Sequence, residues 1–273
     1  MHSIISAAIG HTWYLPFEID FILWLQSGVG TGFGDFLTKV MNVISMFGEE
    51  YILVAILGLL FWGLDKHIGE NVGFTILTAN IFNPLIKNIF CRTRPFDVVG
   101  SGVENLRDVD GYSFPSGHST AAGALYPSLA INYKEKKWKW LVAIAIAVPL
   151  LVAFSRMYLG AHFLSDVVVG LALGVGTIFL LQLMHKLISN KYVVYLIVLI
   201  VSSVGMFYCT TTDYYTSYGM ILGFVCAIAF EQKVCKFENT KVWWRVILRV
   251  IIGAAIFLGL NELIKLPFDK NWL

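Results

Sequence analysis

Long apolar runs separated by short polar loops fill the chain from residue 51 onward. A helix needs about twenty predominantly apolar residues to cross a lipid bilayer, and the longer of these runs reach that length. The pattern therefore predicts an all-α fold, a polytopic bundle of about eight transmembrane helices. The predicted spans are residues 51–64, 68–90, 116–133, 138–154, 162–185, 192–209, 214–230 and 244–266.

The segment 16–47 is also apolar, but glycines interrupt it. Gly28, Gly30, Gly32 and Gly34 divide it into two pieces, each short for a span. We predict two helices that lie in the membrane interface, with Glu18 near the positive end of the first helix dipole. An additional span in this segment is the alternative.

Composition agrees with a membrane protein and excludes two other classes. Hydrophobic residues make up 57% of the chain, charged residues make up 14%, and the mean hydropathy is +0.71. A soluble fold would need a polar shell that this sequence does not supply. The net charge of +2 is too small to indicate nucleic-acid binding. The cysteines lack metal-ligand spacing and are interpreted as small buried residues, and whether Cys91 and Cys209 meet stays open.

Cations in short loops predict the orientation of the bundle. One set of loops carries most of the lysines, and the positive-inside rule makes that face cytoplasmic. The alternate loops, 91–115, 155–161 and 209–213, then face outward, although they hold Arg92, Arg94, Arg107 and Arg156. Exceptions of this kind indicate a ligand. The cytoplasmic set is Lys66, Lys134, Lys136, Lys137, Lys139, Lys186, Lys191, Lys233, Lys236, Lys241 and Arg245.

A histidine and a carboxylate lie four residues apart at the start of one apolar run. His162 and Asp166 would share a helix face, so the carboxylate can take the proton on one ring nitrogen. The imidazole would then be a neutral, oriented nucleophile or base. Taken alone, such a pair can also be purely structural.

A second histidine follows a capping serine. In Pro-Ser-Gly-His at 115–118, Ser116 can cap a helix whose free N–H groups bind anions, and Gly117 lets a ligand approach the backbone. His118 could donate a proton to a leaving oxygen there. Lys87, which could otherwise snorkel to the interface, and two arginines could hold a phosphate.

Together, Lys-x6-Arg-Pro at 87–95, Pro-Ser-Gly-His at 115–118 and Ser-Arg-x5-His-x3-Asp at 155–166 resemble the signature of the type 2 phosphatidic acid phosphatase superfamily. That superfamily includes lipid phosphate phosphatases, undecaprenyl pyrophosphate phosphatases, glucose-6-phosphatases and vanadium haloperoxidases. The resemblance implies that His162 attacks phosphorus to form a phosphohistidine, Asp166 fixes its tautomer and His118 protonates the leaving group. The implied phosphate-binding residues are Lys87, Arg94, Ser116, Gly117 and Arg156. No metal or other cofactor is implied, and the acidic residues Glu104, Asp108 and Asp110 are expected to form a solvated connector.

We predict one membrane domain, with an interfacial segment at 1–50, a catalytic helical core at 51–190 and additional spans at 191–273. A lipid phosphate or polyprenyl pyrophosphate fits best as substrate, because its tail can stay in the bilayer. The bacterial cytoplasmic membrane is the expected location, with the site facing outward. A phosphatase of a soluble sugar phosphate and a non-hydrolytic lipid phosphate binding or transport protein are the alternatives. The oligomeric state and the preference between monophosphate and pyrophosphate stay open.

Overall fold

The computed structural model describes residues 13–133, 139–240 and 242–265. Those ranges contain ten α-helices and no strand, so the predicted all-α fold is confirmed. Short π-helical turns extend α3 over Leu60–Leu64 and α9 over Glu231–Cys235, and a 3-10 turn extends α8 over Val204–Phe207. The helices are α1 (Pro16–Leu25), α2 (Gly32–Met46), α3 (Glu50–Leu59), α4 (Lys66–Phe90), α5 (Gly117–Asn132), α6 (Lys139–Tyr158), α7 (Leu164–Leu187), α8 (Lys191–Ser203), α9 (Thr212–Phe230) and α10 (Trp243–Lys265).

The predicted count of eight spans is not confirmed. Within the described ranges, three helices are long and apolar enough to cross a membrane, namely α6, α7 and α9 with its π turn. A fourth candidate is the pair α2 and α3, which qualifies only when the two are joined and which bends by 47° at the break. The count falls short partly because α4 carries several asparagines and α5 is 16 residues long.

The interrupted segment 16–47 forms two helices, as the glycines predicted. α1 ends at Leu25 and α2 begins at Gly32, and Gly30 between them has a φ of +82°. Taken together, α2 and α3 are apolar enough to count as one span broken by a bend of 47°, so an additional span that includes part of this segment is one of the candidates.

α5 is the central helix, and it packs against α4, α6 and α7. Two glycines one turn apart on α7 allow its backbone to approach α5 closely. A Cβ atom on Gly170 would lie 2.6 Å from the carbonyl oxygen of Ser116, and one on Gly174 would lie 2.3 Å from that of Thr120. Small residues at this spacing are typical of close helix contacts in membranes. The contact holds the first turns of α5 and α7 side by side.

α4 separates two apolar clusters. One joins α4 to α3, α5 and α6, and the other joins α4 to α8 and α9. At the first turn of α4, Lys66 donates to Glu231 and to the carbonyl of Phe237, both at 3.0 Å, and Lys191 donates to Glu70 at 2.6 Å. Lysine-bearing ends of α4, α8 and α9 therefore meet at one end of the bundle. Lys134, Lys136, Lys137 and Lys241, on which the predicted orientation also depends, lie outside the described residues.

The four cysteines are all described, and none of them forms a disulfide. Cys91 ends α4 in the left-handed region at φ +48°, and Cys209 precedes α9; both are buried. The neighbouring side chain of Asn88 holds this end of the bundle together, because it accepts a hydrogen bond from the Thr210 N–H at 3.1 Å and donates to the Thr211 hydroxyl at 2.9 Å.

Candidate active site

The three sequence motifs meet at the end of the bundle opposite to Lys66. Lys87 lies in the last turn of α4, Arg156 lies in the last turn of α6, and His118 lies in the first turn of α5. A backbone hydrogen bond of 3.0 Å from Ser116 N–H to the carbonyl of Asp166 joins the starts of α5 and α7. All eight residues that the sequence analysis selected therefore lie around one site.

His162 lies in the loop before α7 and is 2% exposed. The Arg94 guanidinium donates to its Nε2 atom at 3.3 Å. Burial and the nearby positive charges of Arg94 and Arg156 hold the pKa of His162 well below its usual range. The imidazole is therefore neutral near pH 7, and its Nε2 lone pair faces the cationic side of the site.

The other ring nitrogen of His162 is not hydrogen-bonded directly to Asp166. The distance from Nδ1 to the Asp166 carboxylate is 3.6 Å, which is too long for the predicted bond. Ser113 lies between them, with its Oγ 3.4 Å from Nδ1 and 2.5 Å from Asp166 Oδ2. Ser113 donates to the carboxylate and can accept the Nδ1 proton, so it relays the orienting effect of Asp166. Sequence reasoning missed this serine.

A buried arginine outside the predicted set also contacts Asp166. Arg92 donates to Asp166 Oδ1 at 2.5 Å and to Glu18 Oε2 at 3.1 Å, and all three side chains are essentially inaccessible to solvent. Its guanidinium carbon lies 4.0 Å from the ring centre of Trp13 and 4.1 Å from that of Phe163. The sequence showed Arg92 only as an exception to the orientation rule, since nothing in its spacing pointed to Asp166.

Three cations surround the open side of His162. Arg94 is fixed by three backbone carbonyls, those of Gly111 at 2.9 Å, Asp110 at 2.6 Å and Ala161 at 3.0 Å. Arg156 is fully buried; it donates to the hydroxyl of Ser45 at 2.8 Å, while its Nε has no hydrogen-bond partner among the described residues. Neither arginine has a carboxylate within ion-pair distance in the described part of the chain.

Lys87 is the third cation of this group. It is buried, and its Nζ lies 3.5 Å from the half-exposed carboxylate of Asp213 at the start of α9. Among the described carboxylates, only that of Asp213 lies within ion-pair distance of any of these three cations. Buried charge is costly unless an opposite charge compensates it, so the group is suited to binding an anion.

Ser116 and Gly117 lie at the N-terminus of α5. The Ser116 hydroxyl caps α5 by accepting from the Ser119 N–H at 3.4 Å, and the peptide bond before Pro115 is cis. A Cβ atom on Gly117 would meet only Asn83 Oδ1, at 3.7 Å, so this position is loosely packed. The free N–H groups of the first turn of α5 are therefore accessible to an anion.

Among the described residues, no group of three or more His, Cys, Asp or Glu side chains is arranged to hold a metal ion. Of the three acidic residues of the loop, Asp110 contributes its backbone carbonyl to Arg94, and the Asp108 carboxylate accepts from the Asn105 amide at 3.4 Å.

Comparison with known proteins agrees with this geometry. The profile of the PAP2 superfamily matches residues 70–190, and that of the PAP2 superfamily phosphatase transmembrane extension matches residues 215–273. The chain is 30% identical over 139 residues to an undecaprenyl-diphosphatase of Sulfolobus acidocaldarius, covering 50% of this chain and 66% of the relative. It is 30% identical over 156 residues to phosphatidylglycerophosphatase B of Bacillus subtilis, covering 54% of this chain and 74% of the relative.

Two solved structures share the fold. The crystal structure of Aquifex aeolicus LpxE aligns with a TM-score of 0.53 at 21% identity, covering 61% of this chain and 94% of the LpxE chain. The PAP2 type phosphatidylglycerolphosphate phosphatase of Bacillus subtilis aligns with a TM-score of 0.52 at 27% identity, covering 68% of this chain and 93% of that structure. As the three motifs predicted, the chain belongs to the PAP2 superfamily.

Proposed function

We propose that this protein is a membrane phosphatase that hydrolyses lipid phosphate monoesters or polyprenyl diphosphates through a phosphohistidine intermediate. The observation that carries the proposal is the neutral, buried His162 among Lys87, Arg94 and Arg156. This arrangement attracts a phosphate group and presents a nucleophile to its phosphorus atom.

In the first step, the Nε2 lone pair of His162 forms a bond to phosphorus, and the bond from phosphorus to the leaving oxygen breaks. His118 donates its proton to that oxygen, so an alcohol or a phosphorylated lipid departs. In the second step, His118 takes a proton from water, whose oxygen attacks the phosphohistidine. The nitrogen–phosphorus bond breaks, and inorganic phosphate leaves with His162 regenerated.

Charge stabilisation supplies much of the catalytic effect in this scheme. Lys87, Arg94 and Arg156 contact the non-bridging oxygens, and the N–H group at Gly117 adds the positive end of the α5 dipole. Because the two arginines are already fixed by carbonyl and hydroxyl partners, little reorganisation of them accompanies the reaction. The scheme uses no metal ion.

A lipid is the favoured substrate because the site lies at the end of helices whose outer surfaces are apolar. On α7, the side chains of Val168, Phe179 and Leu183 are exposed and would contact acyl or polyprenyl chains. The names of the relatives, undecaprenyl-diphosphatase and phosphatidylglycerophosphatase B, support lipid-linked phosphate. The positive-inside argument supports an outward-facing site in a bacterial cytoplasmic membrane.

A substrate panel tests this function. Purified protein in detergent would be given phosphatidate, phosphatidylglycerophosphate, undecaprenyl diphosphate and glucose 6-phosphate with EDTA present, and phosphate release would be measured. We expect release from at least one lipid, and none from the His162→Ala control. Turnover of glucose 6-phosphate alone would indicate a sugar phosphatase. Binding of lipid without release would indicate a transport or binding protein. Activity that requires added magnesium would refute the metal-free scheme.

Trapping tests the intermediate. Brief reaction with radioactive substrate, followed by an alkaline quench, should label wild-type protein with alkali-stable, acid-labile phosphate, which is characteristic of phosphohistidine. His162→Ala should carry no label. Label that persists in this variant would contradict His162 as the nucleophile.

A further inference from the structure

A carboxylate outside the family signature lies beside the second histidine. Glu49 Oε1 is 3.8 Å from His118 Nε2, and the same carboxylate accepts a hydrogen bond from Arg107. The Nε2 atom is shielded from solvent and makes no hydrogen bond to any described residue. Glu49 also lies outside residues 70–190, which the family profile matches.

The junction between α2 and α3 is built to bring Glu49 to this place. Gly48 packs directly on His118, since a Cβ atom there would lie 2.9 Å from the His118 carbonyl oxygen and 3.0 Å from its Cβ. The Tyr126 hydroxyl of α5 donates to the Phe47 carbonyl at 3.0 Å. The chain segment that carries Glu49 is therefore fixed to the helix that carries His118.

The other charges that face His118 are positive or potentially positive. Arg156 approaches from α6, Arg107 from the loop before α5, and His162 from the loop before α7. Glu49 is the only described carboxylate within 4 Å of the His118 ring. Glu49 opposes the effect of the surrounding cations, which disfavour the protonated form that a general acid requires.

We propose that Glu49 is a positioning residue that favours the protonated form of His118 and directs its other ring nitrogen toward the leaving oxygen. This inference rests on the proposed function. When the leaving group departs, the proton moves from His118 to the leaving oxygen, and the carboxylate stays ionised. When His118 then takes a proton from water, Glu49 compensates the positive charge that forms.

The site then contains two matched arrangements, each of a histidine, a carboxylate and an arginine. His162 has Asp166 and Arg92, and His118 has Glu49 and Arg107. In the first, the serine relay and the surrounding cations keep the imidazole neutral. In the second, the carboxylate lies 3.8 Å from Nε2 and accepts no hydrogen bond from it.

Leaving-group dependence tests the inference. A general acid matters much more for a lipid alkoxide than for p-nitrophenolate, which departs without a proton. We expect Glu49→Gln to lower kcat for phosphatidate by about tenfold or more, and to change kcat for p-nitrophenyl phosphate by less than about threefold. The basic limb of the pH profile should move to lower pH. Glu49→Asp, which keeps the charge, should restore much of the rate.

Two controls separate this role from simple loop anchoring. Arg107→Gln removes the contact of the loop with Glu49 and with Asn42 but leaves the carboxylate beside His118. It should affect both substrates equally, whereas His118→Ala should reproduce the selective loss. The inference is overturned if Glu49→Gln behaves like Arg107→Gln, or if its rates and pH profile equal those of the wild type. Absence of all turnover in wild-type protein would instead refute the proposed function itself.

Discussion

The glycines of α7 allow a sharp test of how helix packing supports the site. Gly174 and Gly176 lie on the same helix two residues apart, but their surroundings differ. A Cβ atom on Gly174 would lie 2.3 Å from the Thr120 carbonyl oxygen and 2.7 Å from the Ala124 nitrogen, whereas one on Gly176 would meet nothing within 4 Å. Alanine at the two positions should therefore have opposite effects.

At Gly174, relief of the overlap requires α5 to move away by about 1 Å, since the obstructing atoms belong to its backbone. Overpacking of this kind costs about 1–3 kcal/mol, which exceeds the gain of up to about 1 kcal/mol from replacing a helical glycine. A 1 Å displacement of catalytic groups can cost about 100-fold in rate. Gly176→Ala should instead be neutral or stabilising, with activity within about twofold of the wild type.

The assay combines thermal unfolding in detergent with lipid phosphate hydrolysis on the same preparations. Gly174→Ala should unfold at a lower temperature and lose kcat, while Gly176→Ala should unfold at the same or a higher temperature. If both variants are equally stable and equally active, the close contact between α5 and α7 does not position the site. If Gly174→Ala is destabilised but fully active below its unfolding temperature, the contact supports the fold alone.

Three other predictions concern charge. Arg92→Met should cost about 3–5 kcal/mol of stability, because it leaves Asp166 buried without its cation, and denaturant titration should detect the loss. Since the folded pKa of His162 lies below its usual value near 6.5, the contribution of this group to the free energy of unfolding is complete above pH 6.5 and falls as the pH drops further. For the same reason, the acid limb of the pH profile of kcat/KM, corrected for substrate ionisation, should lie below pH 6.5. A single cysteine at Ser101 should react with an impermeant thiol reagent in intact cells, and one at Lys186 should not; the reverse result would place the site in the cytoplasm.

The sequence predicted the site better than it predicted the spans. Histidines and cations beside apolar helices are conspicuous because burying them is costly. Three spaced motifs selected Lys87, Arg94, His118 and His162, and the structure brings these residues together. The same polar residues lower the hydropathy of the helices that carry them. This is part of why α4 and α5 do not qualify as spans by composition, although both were predicted to cross the membrane.

The partners of the two histidines could not be predicted. Ser113, Glu49 and Arg107 are isolated polar residues in loops, where no periodicity fixes the direction of a side chain. Their roles depend on tertiary contacts between segments far apart in the sequence. The direct bond from Asp166 to His162 was predicted from helix spacing, but His162 precedes the first turn of α7, so that spacing did not apply.

The contacts of Arg92 have a consequence for biosynthesis. Glu18 and Asp166 are each 74 residues from Arg92, one before it and one after it. During translation, α1 therefore emerges with a carboxylate whose buried partner does not yet exist, and the contact of all three residues is complete only after the start of α7 has been made. Completion of the surroundings of His162 is consequently a late step in membrane insertion. A nascent chain that stops before residue 166 holds Glu18 and Arg92 without the residue that they support.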